Sequence, residues 1–265
     1  MKLSSFQHRF TKIHFPYMNI KPMSAKFILS VYLFSLLTFT SSLAQTNTDF
    51  QNLLNLGDRT GQNKGALIYT RAGSYYGVLG TPYVNEKWVM GTVTAQNGKK
   101  HENIPVMYNA HYDLIEAVVR RDTLILDSRL VSALELTITD KEGSRFAVFK
   151  NGFTSKAEKI EPTHFFEVIY EGSQIKMLRK HYKMLKPSNF DAAYNTGSKF
   201  DEFIPVITTY IQTPSGIEKL KMNKKGVLSL MGSKAKQVED FINKEKLKYN
   251  LDADLAKIFA FYESL

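Results

Sequence analysis

The most ligand-like residues of this sequence are His111 and Asp113, which stand two positions apart. On a β-strand, residues at that spacing point to the same face, where a histidine and a carboxylate can share a metal ion. No third ligand is identifiable, and His164, between Glu161 and Glu167, does not complete a set. We therefore predict a surface loop at His111 to Asp113, with no metal and no cofactor.

The standard motifs of enzymes are missing. The sequence contains no Gly-x-Ser-x-Gly, Walker loop, His-Glu-x-x-His, calcium loop or dinucleotide fingerprint. It also contains no cysteine, which excludes thiol nucleophiles, Cys-ligated zinc and disulfide frameworks. We therefore predict no catalytic residues and favour a non-catalytic protein. The alternative is a glycan-acting hydrolase, whose acid and base would be carboxylates scattered along the chain.

Four aromatic residues are the candidates for ligand binding: Tyr75, Tyr76, Tyr83 and Trp88. Glycines at positions 73, 77 and 80 permit sharp turns among them. Aromatic rings on such loops can stack against sugars, which predicts a glycan-binding patch. The alternative is that the rings close a β core and leave their polar tips in water.

The first 44 residues indicate an exported protein. Met23 to Ala44 reads as a signal peptide, with one lysine, an apolar run from Phe27 to Leu37, and a small-x-small cleavage site at Ser42-Leu43-Ala44. The apolar run is shorter than the roughly 20 residues that a membrane anchor needs. We expect translation to start at Met23 or Met18 and the mature protein, residues 45–265, to be periplasmic or secreted. No transmembrane span is expected after cleavage.

Positive charge is concentrated in one tract of the mature chain. The leader holds five of the 35 Lys and Arg residues and none of the 25 acids, so the net charge falls from +10 to +5 on cleavage. Residues 176–248 hold 15 basic and seven acidic residues. Such a tract can meet an anionic lipid or an acidic glycan, or it can be a solvated lysine-rich face. We expect no nucleic acid.

The stretch from Gly65 to Tyr182 predicts a β-meander. Leu134, Leu136 and Ile138 alternate with polar residues, as in a strand with one buried face. Seven further strands are predicted at Trp88 to Thr94, Ile104 to Tyr108, Leu114 to Arg120, Thr123 to Leu126, Arg145 to Phe149, Phe165 to Tyr170 and Ile175 to Tyr182. The connections are short, with turn signals such as Asn97-Gly98, and no helical pattern separates the strands. We predict a mainly β (α+β) fold: an antiparallel meander forming a curved sheet, a partly open barrel or a sandwich.

A looser segment, Lys186 to Phe200, suggests a boundary between a β-rich domain, residues 45–185, and a C-terminal part, residues 186–265. Whether the two pack as one domain is left open. The C-terminal part begins with a predicted hairpin, in which Phe203 to Thr213 and Ile217 to Met222 flank Pro214-Ser215-Gly216. Pro205 fits best on an edge strand.

Three short helices are predicted after the hairpin. Asn223 is the expected cap of the first helix, Gly232 its end, and Ser233 the cap of the second. Apolar residues recur at helical spacing from Leu251 to Leu265 and predict the third. We expect these helices to pack on the sheet, and a docking surface for a partner is the alternative.

Five stretches carry a resemblance: Gly77 to Val84, Gly91-Thr92-Val93, Val106 to Asn109, Phe165 to Gly172, and the ending from Lys224 to Leu265. Together they resemble a family of uncharacterised exported proteins of Gram-negative bacteria, over most of the mature chain. The resemblance implies export and a layout of strands followed by helices. The family has no established activity, ligand or catalytic residues.

The sequence therefore predicts an exported, non-catalytic envelope protein that acts as a structural or binding module. Its expected partners are an envelope glycan, an anionic lipid or another envelope protein.

Overall fold

The computed structural model describes residues 75, 77–119, 122–140 and 143–265, so the predicted signal segment and Tyr76 lie outside the described residues. Ten strands form one antiparallel sheet: β1 (Val89–Ala95), β2 (Lys100–Asn109), β3 (Leu114–Val119), β4 (Asp122–Leu126), β5 (Val131–Asp140), β6 (Gly143–Lys150), β7 (Phe166–Glu171), β8 (Lys176–Lys186), β9 (Glu202–Thr213) and β10 (Gly216–Lys219). Their order is β10-β9-β8-β7-β6-β5-β1-β2-β3-β4, with β10 and β4 at the open edges.

This architecture confirms the predicted mainly β meander, since every predicted strand forms within a few residues of its expected ends. One pairing departs from chain order, because β5 returns beside β1 instead of following β4. Pro205 lies opposite Lys183, in a stretch of β9 that β10 does not reach. Its missing N–H therefore costs no sheet hydrogen bond, as an edge position requires.

The sheet must curl strongly, because only residues 127–130 connect β4 to β5. Four strand positions in a flat sheet span roughly 19 Å, whereas this connection can extend about 17 Å at most. The rings of Tyr108 on β2 and Phe149 on β6 confirm the curl: their centroids lie 4.9 Å apart, although three strand positions would separate them by roughly 14 Å if the sheet were flat. The main hydrophobic core fills this curl.

The curl also brings the turn after β2 onto β8, five strand positions away in the sheet order. The Lys183 N–H donates to the Ala110 carbonyl at 3.4 Å, which is a contact between two backbones. β7 begins only at Phe166 and its pairing with β8 ends at Arg179, so β8 has a free edge beyond that residue. The turn after β2 occupies this free edge.

Three helices cover one face of the sheet near β8 and β9: α1 (Lys224–Ser229), α2 (Ala235–Glu245) and α3 (Asp252–Ser264). Their apolar residues form a second core with Ile175, Met177 and Ile211, so the prediction that the helices pack on the sheet is confirmed. None of the helices described is long and apolar enough to cross a membrane.

The expected helix boundaries hold only in part. Asn223 caps α1 as predicted, because its side-chain oxygen accepts the Gly226 N–H at 2.8 Å. The prediction that Ser233 caps α2 is wrong. Ser233 lies inside a 3₁₀ turn, Gly232–Lys234, which runs directly into α2, so no extended residue precedes the helix to act as a cap.

The Glu263 side chain connects α3 to the turn between β7 and β8 through hydrogen bonds. Its carboxylate accepts the backbone N–H groups of Ser173, Gln174 and Ile175 at 2.7–3.1 Å and the Tyr170 hydroxyl at 3.0 Å. Burial acts to raise the pKa of Glu263, but these hydrogen bonds outweigh it and lower the pKa. The end of the chain is thus held by a negative charge that satisfies three turn amides.

A buried ion-pair network joins β6, β7 and β8. Glu167 is 1% exposed; it accepts hydrogen bonds from Arg145, one of them at 3.0 Å, and lies 2.6 Å from His181 Nε2. Burial alone would raise the pKa of Glu167, but the hydrogen bonds from His181 and Arg145 prevail and lower it from 4.5 to about 2. The carboxylate therefore stays ionised and holds its two partners together.

We predict that Glu167 makes folding stability sensitive to acid. Because its folded pKa is below its unfolded value, its contribution is complete above about pH 4.5 and is lost as the pH falls towards 2. At neutral pH, Glu167→Gln should lower the free energy of unfolding by about 3 kcal/mol. Urea unfolding of the wild type and the variant across this pH range measures the difference. The exposed Glu102→Gln is the control, and parallel pH profiles for wild type and Glu167→Gln would contradict the prediction.

We also predict that the sheet tolerates no side chain at Gly91. A Cβ there would lie 2.6 Å from Val106 Cγ2 and 2.8 Å from the Glu135 carbonyl oxygen. Gly91→Ala should cost about 1–3 kcal/mol of unfolding free energy, measured by chemical denaturation. The neighbouring side chain of Met90 is exposed, so Met90→Ala should change stability by less than about 0.5 kcal/mol. Equal effects of the two changes would argue against the tight approach of β1 to β2 and β5.

Candidate functional site

One of the four predicted aromatic residues, Tyr83, contacts a buried carboxyl group, that of Glu116 on β3. The Tyr83 hydroxyl is 3.0 and 3.1 Å from the two Glu116 oxygens. Tyr75 interacts with the side chains of Asn109 and Tyr112, and the Glu116 charge acts on it. The structure thus assembles aromatic rings, an amide and a carboxyl group.

The other two predicted residues do not join this group. Tyr76 is outside the described residues. Trp88 is 40% exposed just before β1, and among the described residues no hydrogen bond or ring contact connects it to Tyr75 or Tyr83.

The predicted loop at His111 to Asp113 is a turn whose side chains hold the fold together. His111 Nδ1 lies 2.7 Å from the Lys183 carbonyl oxygen. Because a carbonyl oxygen can only accept a hydrogen bond, Nδ1 is the donor and carries the proton. Asp113 accepts a hydrogen bond from Lys180 at 2.5 Å and another from the Tyr108 hydroxyl. These contacts close the curled sheet against β8.

Neither the His111 motif nor His164 belongs to a metal centre in the described part of the chain. That part holds no group of three His, Asp or Glu side chains arranged to bind a metal ion. His164 Nδ1 accepts the Glu161 N–H at 3.2 Å and stabilises its own loop.

The ring of His111 lies between two exposed tyrosines and against Phe203, which also contacts the ring of Tyr75. The His111 ring lies 4.6 Å from the ring of Tyr112 and stacks at 6.1 Å on that of Tyr182. Tyr112 is 60% exposed and Tyr182 40%. We call Tyr75, Tyr83, Tyr112 and Tyr182, with His111, Asn109 and Glu116, the tyrosine surface.

The segment before β1 positions Tyr75 and Tyr83 through backbone contacts. The Leu79 N–H donates to the carbonyl of Asp201, which directly precedes β9, and the Leu79 carbonyl accepts the N–H of Phe203 on β9. Gly80 follows with φ +75°, and a Cβ there would lie 3.1 Å from the Phe203 carbonyl oxygen. Only glycine combines that backbone angle with so close an approach. The segment then reaches β2, where Tyr83 bridges to Asn109.

Burial shapes the electrostatics of the tyrosine surface. It raises the pKa of the Glu116 carboxyl, and the hydrogen bonds of Tyr83 and Asn109 oppose that rise only in part. It also raises the pKa of Tyr83 strongly, and the nearby Glu116 charge adds to the effect. Tyr83 therefore stays a neutral hydrogen-bond donor. The buried amide and carboxyl groups of Asn109 and Glu116 thus support the tyrosine hydroxyl groups from beneath.

The basic tract is distributed over several elements. Five of its cations pair with acids: Lys176 with Glu171, Arg179 with Asp252, Lys180 with Asp113, Lys219 with Glu158 and Lys224 with Glu239. These pairs lie on β8, on β10 and on α1, so a third of the tract's charge is neutralised locally.

Exposed apolar side chains are concentrated around the loop that joins β8 to β9 and in the parts of both strands next to it. Eight of the 15 large hydrophobic side chains exposed in the described ranges lie there: Tyr182, Met184, Leu185, Phe190, Tyr194, Phe200, Val206 and Ile207. Tyr182 belongs to both this group and the tyrosine surface, so the two features share one exposed ring.

Sequence reasoning missed Asn109, Tyr112, Glu116 and Tyr182 as members of the site. Glu116 has a local signal, since it is a single acid inside the apolar run from Leu114 to Val119. A charged residue in a strand that is apolar on both faces indicates a buried carboxyl group. Tyr182 has no such signal, because only the curl of the sheet brings it to His111.

Comparison with family models, with curated proteins and with solved structures finds no match for this chain.

Proposed function

We propose that the chain is an exported, non-catalytic binding module of the cell envelope whose tyrosine surface holds an oligosaccharide. The observation that carries the proposal is the assembly of four tyrosines with Asn109 and Glu116, two of the rings being well exposed. Export rests on the signal-like pattern of Met23 to Ala44.

Oligosaccharide chemistry matches the groups on this surface. A sugar ring has apolar C–H faces that pack on aromatic rings and hydroxyl groups that exchange hydrogen bonds with tyrosine, amide and carboxyl groups. Tyrosine loses little side-chain freedom on binding, because it has only two rotatable bonds. The exposed rings of Tyr112 and Tyr182 supply stacking, and the partly buried Tyr75 and Tyr83 supply hydroxyl groups.

The hydrolase alternative has less support. A glycoside hydrolase needs two carboxyl groups about 5–9.5 Å apart across the scissile bond. The groups that act on the Glu116 pKa besides burial are Tyr83 and Asn109, and neither is a carboxyl. Asp113, which follows Tyr112 in the chain, is engaged by Lys180 and Tyr108.

An anionic lipid is the weaker ligand for a different reason. Lipid headgroup attraction needs several unpaired cations on one face, whereas five cations of the basic tract are paired and the tract is spread over strands and helices. The aromatic rings of the tyrosine surface lie beside a buried acid, not a basic patch.

We predict saturable binding of neutral oligosaccharides that survives moderate salt, because stacking and hydrogen bonds between neutral groups are not screened. Tyr112→Ala and Tyr182→Ala should each raise Kd about tenfold, equivalent to about 1.4 kcal/mol. Titration calorimetry of the protein against tetrasaccharides of several backbones measures this. Phe146→Ala is the matched control, since Phe146 is equally exposed but lies on β6.

Two outcomes would overturn this proposal. One is the absence of binding to any neutral or charged oligosaccharide, and the other is binding that Phe146→Ala weakens as much as Tyr112→Ala does. A Trp88→Ala variant tests the sequence prediction for that residue separately. Because Trp88 has no described contact with the tyrosine surface, its removal should leave Kd within about twofold.

A further inference from the structure

The connection between β8 and β9, residues 187–201, forms a hairpin of its own, although none of its residues is buried. We call it the arm. Asp191 and Thr196 exchange backbone hydrogen bonds at 2.9 and 3.2 Å, and the Asn189 N–H donates to the Ser198 carbonyl at 3.1 Å. Connections longer than about 12 residues are uncommon in compact domains and usually have a function. The arm is therefore a structured protrusion that the cores of the protein do not need.

Three aromatic side chains of the arm are exposed. Phe190 is 37% exposed, Phe200 52% and Tyr194 79%. None of the three belongs to a hydrophobic core of the described residues. Rings held on a structured hairpin in this way leave water only when an apolar phase outside the chain covers them. The arm thus presents apolar surface to a partner.

The two acids of the arm, Asp191 and Asp201, are engaged by its own backbone. The Asp191 carboxylate accepts the N–H groups of Ala193 at 2.9 Å and of Tyr194 at 3.3 Å. The Asp201 carboxylate accepts the Ser188 N–H at 2.7 Å. These hydrogen bonds hold the turn and the base of the arm, so its negative charges have a structural role.

Two exposed lysines accompany the aromatic rings. Lys199 Nζ lies 4.8 Å from the centre of the Phe190 ring. Lys186 is the last residue of β8, and its neighbour across the strands is Glu202. Within the residues that the structure describes, neither lysine forms a salt bridge. Both ammonium groups therefore remain available to an anionic group such as a lipid phosphate.

A lipid bilayer fits the arm better than a small ligand or a second copy of the chain. A protruding hairpin has no concave surface to enclose a small ligand. A symmetric contact between two arms would place the lysines of one copy against those of the other, while the acids are held by the backbone. The interface of a bilayer, in contrast, accepts aromatic rings at the level of the headgroups, where phosphates lie beside them.

We propose that the arm docks the protein on a phospholipid bilayer, with the rings of Phe190, Tyr194 and Phe200 in the interface and the ammonium groups of Lys186 and Lys199 at lipid phosphates. The rings supply most of the affinity, so two cations suffice where headgroup attraction alone would not. Because the arm is hydrogen-bonded before it binds, docking costs little conformational entropy. Membrane docking goes beyond the proposed function and does not depend on the tyrosine surface.

Flotation with vesicles of phosphatidylethanolamine and phosphatidylglycerol measures docking. All variants are checked by mass spectrometry to have the same N-terminus, so the first residues of the chain cannot explain a difference. Phe190→Ser/Tyr194→Ser should lower the partition coefficient at least about tenfold, because two rings no longer leave water. Phe146→Ser, at an exposed ring on β6, is the matched control and should change it by less than about twofold. Lys186→Gln/Lys199→Gln should lower it about fivefold or more.

A tryptophan at the tip of the arm reports on insertion itself. Trp88 is the single tryptophan of the sequence and lies outside the arm. The variant Trp88→Phe/Tyr194→Trp therefore moves the only reporter to the tip. With vesicles that contain brominated phospholipids, we expect a blue shift and quenching of this variant, and little quenching of Trp88 in the wild type. Circular dichroism checks that each variant is folded.

The remaining outcomes would overturn the proposal. Membrane docking is refuted by an absence of flotation, by equal flotation of the wild type and Phe190→Ser/Tyr194→Ser, or by an unquenched tryptophan at position 194. An unchanged coefficient for the lysine variant would overturn the role of the lysines. Dimers in sedimentation velocity that Tyr194→Ser dissociates, without vesicle binding, would assign the arm to a second copy. Oligosaccharide titration of the arm variants is separate, since its failure would overturn the proposed function and leave docking intact.

Discussion

The structure depends on one constraint, the short connection between β4 and β5. Because residues 127–130 cannot cross a flat sheet of five strands, the sheet has to curl. The curl places Tyr108 against Phe149 and carries the turn after β2 to the free edge of β8. The core, the closure at Lys183 and the tyrosine surface are all consequences of this geometry.

Polar side chains, as well as backbone groups, hold the turn after β2 against β8. Asp113 with Lys180, and Glu167 with Arg145 and His181, each add side-chain contacts between elements that backbone hydrogen bonds also join. Such pairs cost desolvation free energy, so they add less net stability than their short distances suggest. Their directional hydrogen bonds instead favour one register of β6, β7 and β8 over its neighbours, since a shift by one residue would bury their charges unpaired.

Local patterns predicted the fold well because each strand and turn has its own signal. The alternation from Leu134 to Ile138 and the pair Asn97-Gly98 act within a few residues, and the structure forms both as expected. The prediction for Ser233 was wrong because a capping residue is recognised by its type, whereas here a 3₁₀ turn continues directly into α2 and leaves no cap position. Of the site, only Tyr75 and Tyr83 could be predicted. Tyr112 and Tyr182 are about 70 residues apart in sequence, and their meeting depends on the curl.

Stability and the proposed recognition share residues at the closure, because β7 begins only at Phe166. Since β7 starts at Phe166, the edge of β8 beyond Arg179 needs other partners for its backbone. His111 and Ala110 supply them, and the ring of His111 also lies against the exposed rings of Tyr112 and Tyr182. A change at His111 would therefore alter folding and the exposed rings together. Tyr112 and Tyr182, which are exposed on that turn and on β8, are the positions where the proposed recognition can change while the closure stays intact.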